Sequence, residues 1–136
     1  MADKIHFELV SPERLLLSTE AEMVVVPGTE GYMGVMANHA PLISTLKTGI
    51  IEVHNGGAAD KLLVRGGFAE VNPKGLTVLA EEAYPLAELD RDKLTAELRD
   101  AEEDVADAKD EVTRQRAEKA RDRLAAIVEV LNSQAA

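Results

Sequence analysis

Every one of the 9 glycines and 5 prolines in this chain lies at or before Pro85, and none occurs in the residues that follow up to Ala136. The two residue types that interrupt helices most effectively are thus confined to one part of the chain. Charged residues are distributed the other way, with 17 among the first 86 residues and 23 among the last 50. The chain therefore divides into two kinds of structure: a β-domain over residues 1–86 and a helical domain over residues 87–136.

In the first part, short apolar runs are separated by turn signals at Ser11-Pro12-Glu13, Pro27 to Gly31, His54 to Gly57, Arg65-Gly66-Gly67 and Asn72 to Gly75. Ile5, Phe7 and Leu9 alternate with His6 and Glu8, the period of a half-buried strand. Met23 to Val26, Ile50 to Val53, Lys61 to Val64 and Leu76 to Leu79 are rich in residues that suit a pleated surface. An antiparallel sandwich or barrel is expected, with an aliphatic core because the chain has only 4 aromatics.

In the second part helix is the only reading. Asp90 is placed to cap a helix, with Leu89 and Leu94 spaced as a hydrophobic staple around it. Leu94, Leu98, Ala101, Val105, Ala108 and Val112 form one apolar stripe, and Ala117, Ala120, Leu124, Ile127 and Leu131 form another. The five-residue step from Val112 to Ala117 breaks the phase, and Asp107 or Asp110 can cap a new helix there. An antiparallel two-helix hairpin is favoured over a continuous rod. Its alanine-rich seam packs closely but weakly, since a methyl contributes only about 0.8 kcal/mol on burial, so a loosely held hairpin able to exchange contacts is expected.

Composition narrows the partners. With 25 acidic and 15 basic residues the formal net charge is -10, which disfavours nucleic acid and an anionic membrane surface, since both select clustered bases. No cysteine is present to form disulfides, thiolate metal sites or thiol nucleophiles. No apolar run is long enough to span a membrane, and Met1-Ala2-Asp3-Lys4 lacks the layout of a signal peptide. A soluble cytosolic protein is expected.

The sequence offers little chemistry. His6, His39 and His54 are widely separated and form no short-range metal pair. Gly28, Gly31 and Gly34 lack the lysine and following helix of a phosphate loop, so a tight hairpin explains them better. Asp90-Arg91-Asp92 begins like a calcium loop, but Leu94 occupies a ligand position. An acid–base pair of Glu30 and His39 would need a common pocket, of which the sequence gives no sign. No catalytic residue, cofactor or metal is assigned. One charge pattern stands out: Arg114, Arg116, Lys119, Arg121 and Arg123 place five bases within ten residues. Intrahelical pairing, for example of Glu118 with Arg121, and docking against an acidic segment of another protein are both consistent with it.

The run Pro27 to Leu42, which reads PGTEGYMGVMANHAPL, is followed by Thr48-Gly49-Ile50-Ile51, Gly66 to Val71 and Leu76 to Glu81. Together with the charged helical tail, these motifs closely resemble the epsilon subunit of bacterial F-type ATP synthases, over almost the whole chain. The resemblance implies a flattened ten-stranded β-sandwich followed by a two-helix domain. It further implies a non-catalytic central-stalk subunit, peripheral on the cytoplasmic face of the inner membrane. The sandwich would bind the gamma subunit and the c-ring, coupling proton-driven rotation to ATP synthesis. The helices would regulate hydrolysis through the alpha and beta subunits. An adaptor whose hairpin binds some other protein is the alternative.

Carried over residue by residue, the resemblance puts Glu30 and Tyr32 in the c-ring-facing loop, with Tyr32 where some members carry an acid. It puts His39 in the His-Ala-Pro-Leu signature, and Arg114, Arg116, Lys119, Arg121 and Arg123 in the basic part of the second helix that faces beta in inhibitory members. Some members bind ATP through an Asp-x-x-Arg-Ala motif, whereas this chain reads Asp90-Arg91-Asp92-Lys93-Leu94. Lysine lacks the forked guanidinium and leucine crowds the position, so weak or absent ATP binding is expected.

Overall fold

The computed structural model describes residues 3–135. Its contacts separate into two compact units, one ending at Ala87 and the other beginning at Glu88.

The first unit is an eight-stranded sheet. Its strands are β1 (Ile5–Val10), β2 (Leu15–Ala21), β3 (Met23–Gly28), β4 (Gly31–Val35), β5 (Leu42–Thr45), β6 (Gly49–His54), β7 (Asp60–Asn72) and β8 (Gly75–Pro85). The hydrogen-bonded order is β2-β1-β8-β7-β6-β3-β4, with β5 pairing to β7. All pairs are antiparallel except β1 with β8. Strands β2 and β3 lie toward opposite ends of this order, yet only Glu22 separates them in sequence. A connection that short brings the two ends of the sheet together, so the sheet folds over on itself. Two hydrogen bonds hold the closure: Glu22 N–H donates to the His54 carbonyl at 2.9 Å, and Asn55 Nδ2 donates to the Glu20 carbonyl at 2.9 Å.

The inward residues follow the strand period. On β1, Ile5, Phe7 and Leu9 are buried while His6, Glu8 and Val10 are only partly so. They meet Val24 and Val26 of β3, Ile51 and Val53 of β6, Val64, Ala69 and Val71 of β7, and Leu76, Val78 and Ala80 of β8. Phe7 is the one aromatic among them, so the core is aliphatic as expected. Each fully buried side chain of this size contributes roughly 1.5–3 kcal/mol relative to exposure. Ile50 and Leu63, opposite each other on β6 and β7, are also buried but lie on the other face from Ile51 and Val64.

The sandwich class agrees with the sequence, but eight strands replace the ten implied by the resemblance. The reason lies in β7 and β8, of 13 and 11 residues, each of which serves two neighbourhoods. Residues Asp60 to Val64 of β7 pair with β6, whereas Phe68 to Val71 pair with β5. The changeover falls at Gly66 and Gly67, with φ of 71° and 112°. Arg65-Gly66-Gly67 is therefore a bend inside a continuous strand and not a turn between two strands. Glycine supplies the left-handed backbone without steric cost.

A 3-10 turn at Leu86–Glu88 spans the boundary, and the second unit holds α1 (Arg91–Asp107) and α2 (Glu111–Ala135). Asp90 caps α1, its Oδ1 accepting from Lys93 N–H at 3.1 Å. The first helix ends at Ala108, which adopts an extended ψ of 130°. Asp110 then caps α2, accepting from Thr113 N–H at 2.8 Å. The hairpin reading holds and Asp110, not Asp107, is the second cap. The stripes are narrower than their spacing suggests. Ala101, Leu124, Ile127 and Leu131 are buried as expected, and Val128 joins them. Val112 is 67% exposed, because the break makes it part of the first turn of α2 and removes it from the α1 stripe. Ala120 is exposed too.

Candidate interaction surfaces

The β3–β4 hairpin turns through Thr29 and Glu30, with Gly28 paired to Gly31 across it. Gly31 has φ of 133°, a conformation that a side chain would resist. This geometry leaves Glu30 exposed at the hairpin tip. A cleft of about 420 Å³ runs from this tip to Leu42, Ile43 and Ser44 of β5.

Tyr32 stands beside Glu30 on the exposed side of β4 and remains 54% accessible. Its hydroxyl accepts a hydrogen bond from Ile50 N–H at 3.2 Å. The β3–β6 ladder ends at Val25 with Glu52, short of Pro27 and Ile50. Pro27 has no N–H to offer a ladder, and the tyrosine reaches across from the position paired with Pro27. Lys47 Nζ lies 5.7 Å from the ring centroid, within cation–π range. Gly49 leaves space for this arrangement, since a Cβ there would come within 2.8 Å of the tyrosine hydroxyl and 2.5 Å of the Pro27 Cβ.

Exposed apolar side chains occur on the neighbouring β5 and β7 and in the loop after β4. Ile43 is 68% accessible, and Met36, Leu42 and Phe68 are also exposed. Ile43 pairs with Glu70 and Thr45 with Phe68, so Ile43, Glu70, Thr45 and Phe68 share one face of the β5–β7 pair. The sequence reading named Glu30 and Tyr32 here but missed Ile43 and Phe68. An apolar residue in a short strand gives no sign of which face is covered until the register is known.

His39 lies apart from Glu30, in a different cleft of about 460 Å³ lined also by Lys4, His6, Asn38, Asn72 and Lys74. Its Nδ1 donates to its neighbour's carbonyl at Ala40, 2.8 Å away, and its backbone N–H to Met36. Asn38 before it sits at φ 68°, so the signature shapes a turn. Glu30 lines the first cleft and His39 the second, so these two clefts do not bring the pair together. No group of three or more potential metal ligands occurs among the described residues.

On α2, Arg114, Arg116 and Lys119 are exposed, while Arg121 and Arg123 are partly covered. Arg121 bonds Asp122, with Nη2 to Oδ1 at 2.9 Å. At roughly 100° per residue, Arg114 and Arg121 fall on one flank of the buried stripe, and Arg116, Lys119 and Arg123 on the other. The bases form two rows and not the single band that their sequence density suggests.

Residues 4–86 match the model of the beta-sandwich domain of the ATP synthase delta/epsilon chain. The chain belongs to the ATP synthase epsilon-chain family. It is 60% identical to the ATP synthase epsilon chain of Parvibaculum lavamentivorans over 118 residues, covering 86% of this chain and 89% of that one. The epsilon chain of Maricaulis maris is 52% identical, with 86% and 88% covered, and that of Rhodospirillum rubrum 48%, with 89% and 91% covered. Among solved structures, a chain of the Euglena gracilis mitochondrial ATP synthase, an assembly containing OSCP, F1 and the c-ring, superposes with a TM-score of 0.78. It is 31% identical, with all of this chain and 84% of that one covered. A chain from the central stalk and c-ring of the Tetrahymena thermophila enzyme shares the fold, with a TM-score of 0.60 at 14% identity and coverage of 99% and 98%. As an epsilon chain, this protein is a non-catalytic subunit of ATP synthase. Among its described residues no helix is long and apolar enough to cross a membrane.

Proposed function

We propose that the β-sandwich is the rotor-side fitting of a proton-driven ATP synthase, binding the gamma subunit and the c-ring in the central stalk. The observation that carries this reading is the exposed apolar pair Ile43 and Phe68, which share one face of the β5–β7 pair near the Tyr32 hairpin. Large apolar residues exposed together on one sheet face suit a protein interface better than open water. The cross-bonded sheet beneath them is suited to transmitting torque, because twisting it strains many backbone hydrogen bonds at once. The Glu30–Tyr32 tip faces the c-ring in this reading, and Ile43 and Phe68 face gamma. The subunit is then held at the cytoplasmic face of the bacterial inner membrane through the complex.

The helical unit supplies regulation. From α1 it buries only Ala101, against Leu124, Ile127, Val128 and Leu131 of α2, so the first helix is lightly held. The two basic rows of α2 suit acidic segments of alpha and beta, restraining ATP hydrolysis when the helices engage them. The test is reconstitution with purified gamma and c-ring. Ile43→Asp should weaken co-purification with gamma at least tenfold without changing the circular dichroism of the free subunit. Undiminished binding by this variant and by Phe68→Glu would remove gamma from that face.

A further inference from the structure

We propose that His6, held between Glu8 and Glu20, is a proton-operated latch on the edge strand β2, closed when the imidazole is cationic and loosened when it is neutral. Strand β2 ends the sheet order and has β1 as its one ladder partner among the described residues, while the Asn55 amide holds the Glu20 carbonyl near its C-terminal end. His6 lies opposite Glu20 across that pair, and Glu8 lies opposite Ser18. All four face outward, because the alternating positions Ile5, Phe7 and Leu9 are buried. His6 Nδ1 is 3.0 Å from Glu20 Oε1, and Nε2 is 3.2 Å from Glu8 Oε1. The Ser18 hydroxyl is 3.5 Å from Nε2.

Ionised carboxylates only accept hydrogen bonds, whereas a neutral imidazole carries one N–H and one lone pair. With a carboxylate against each nitrogen, a neutral ring must set its lone pair toward one of them. Only the cation satisfies both. Losing the proton thus converts two attractive contacts into one attractive and one repulsive contact, and leaves the two glutamates with no cation between them. His54 faces one carboxylate, that of Glu52, so its neutral tautomer remains compatible with its surroundings.

Asp3, Lys4, His39 of the β4–β5 loop and Lys74 of the β7–β8 turn line the cleft that His6 borders. None of them bonds a His6 nitrogen. Gly75 packs its backbone against the His6 carbonyl, where a Cβ would not fit, and so fixes β1 from the side opposite β2. The latch therefore acts on β2, the partner with a ladder on one side only. Hydrogen bonding to Glu20, and next to Glu8, raises the His6 pKa above the ordinary value of 6.5. A raised folded-state value means that the contribution is complete below about 6.5 and disappears as pH rises through the higher value.

Amide hydrogen exchange of the full chain between pH 5.5 and 9, corrected for intrinsic rates, tests the latch, with the His6 ring titrated by NMR in the same samples. Local opening of Leu15–Ala21 should increase about two- to fivefold across the His6 titration, the range for exposed ion pairs. Leu76 to Leu79 of β8 should be unaffected. His6→Gln should flatten the β2 response, and Glu20→Gln should lower the His6 titration midpoint. The proposal is overturned if β2 opening follows the same pH profile in the wild type and His6→Gln. It is equally overturned if Glu20→Gln leaves the His6 midpoint unchanged.

Discussion

Gly67 of β7 lies so close to Leu79 of β8 that a Cβ at residue 67 would overlap the Leu79 carbonyl oxygen. The obstacle is backbone within a ten-pair ladder and cannot swing aside. The φ of 112° adds strain for any other residue. Gly67→Ala should therefore destabilise the sandwich by about 2–4 kcal/mol, combining backbone strain with displaced sheet pairing. Gly66→Ala should cost less, about 1–2 kcal/mol, because its nearest obstacle is the end of the flexible Glu81 side chain. Urea unfolding of the two variants measures the difference, and equal losses would contradict the backbone explanation.

Much of this architecture is legible in the sequence because it rests on local rules. The confinement of glycine and proline separates sheet from helix, and Asp90 between the stapled Leu89 and Leu94 is enough to place a cap. Long-range register is not local. Arg65-Gly66-Gly67 carries the composition of a turn, and only the exchange of β6 for β5 as partner explains why the strand continues through it. Likewise, His6 and Glu20 are 14 residues apart and meet only through the β1–β2 ladder. The five bases of α2 are dense in sequence, but helical rotation divides them between two flanks.

Tyr32 combines an exposed ring with a structural hydrogen bond to Ile50. Tyr32→Phe keeps the ring beside Lys47 and deletes the acceptor for Ile50 N–H, so a loss of about 0.5–1.5 kcal/mol is expected. If the ring itself contributes to the c-ring contact, Tyr32→Phe should retain assembly while Tyr32→Ala weakens it. Thermal unfolding of the free subunit and its retention on purified c-rings separate the two roles.

Asp110 joins the helices by capping α2 through Thr113. The Thr113 backbone N–H, followed by its side chain, stabilises the carboxylate and lowers its pKa from the ordinary value near 3.8. A lowered folded-state value means that this contribution is present above about 3.8 and is lost as pH falls through the depressed value. Asp110→Ala should accelerate amide exchange at Val112 to Arg114 at neutral pH. Asp110→Asn should largely restore the cap but abolish its acid-dependent loss, since an amide oxygen accepts without titrating. Exchange at those amides, followed from neutral pH to pH 3, distinguishes the variants.

The sandwich core runs from Ile5 to Ala80, and no residue beyond Ala83 is needed to assemble it. A chain ending at Ala87 should accordingly fold by itself and unfold in one cooperative urea transition. The fragment from Glu88 onward is in a different position, with Ala101 the only buried residue of α1 and with 17 and 25 residues in its two helices. Such a hairpin is too short and too thinly cored for firm independent stability, so its helicity should fall gradually on heating. In the assembled synthase, the shortened chain should still support rotation-coupled ATP synthesis through the sandwich, while hydrolysis rises if the helices act as the brake. Loss of coupling in a well-folded shortened subunit would place the torque-bearing contact in the helices instead.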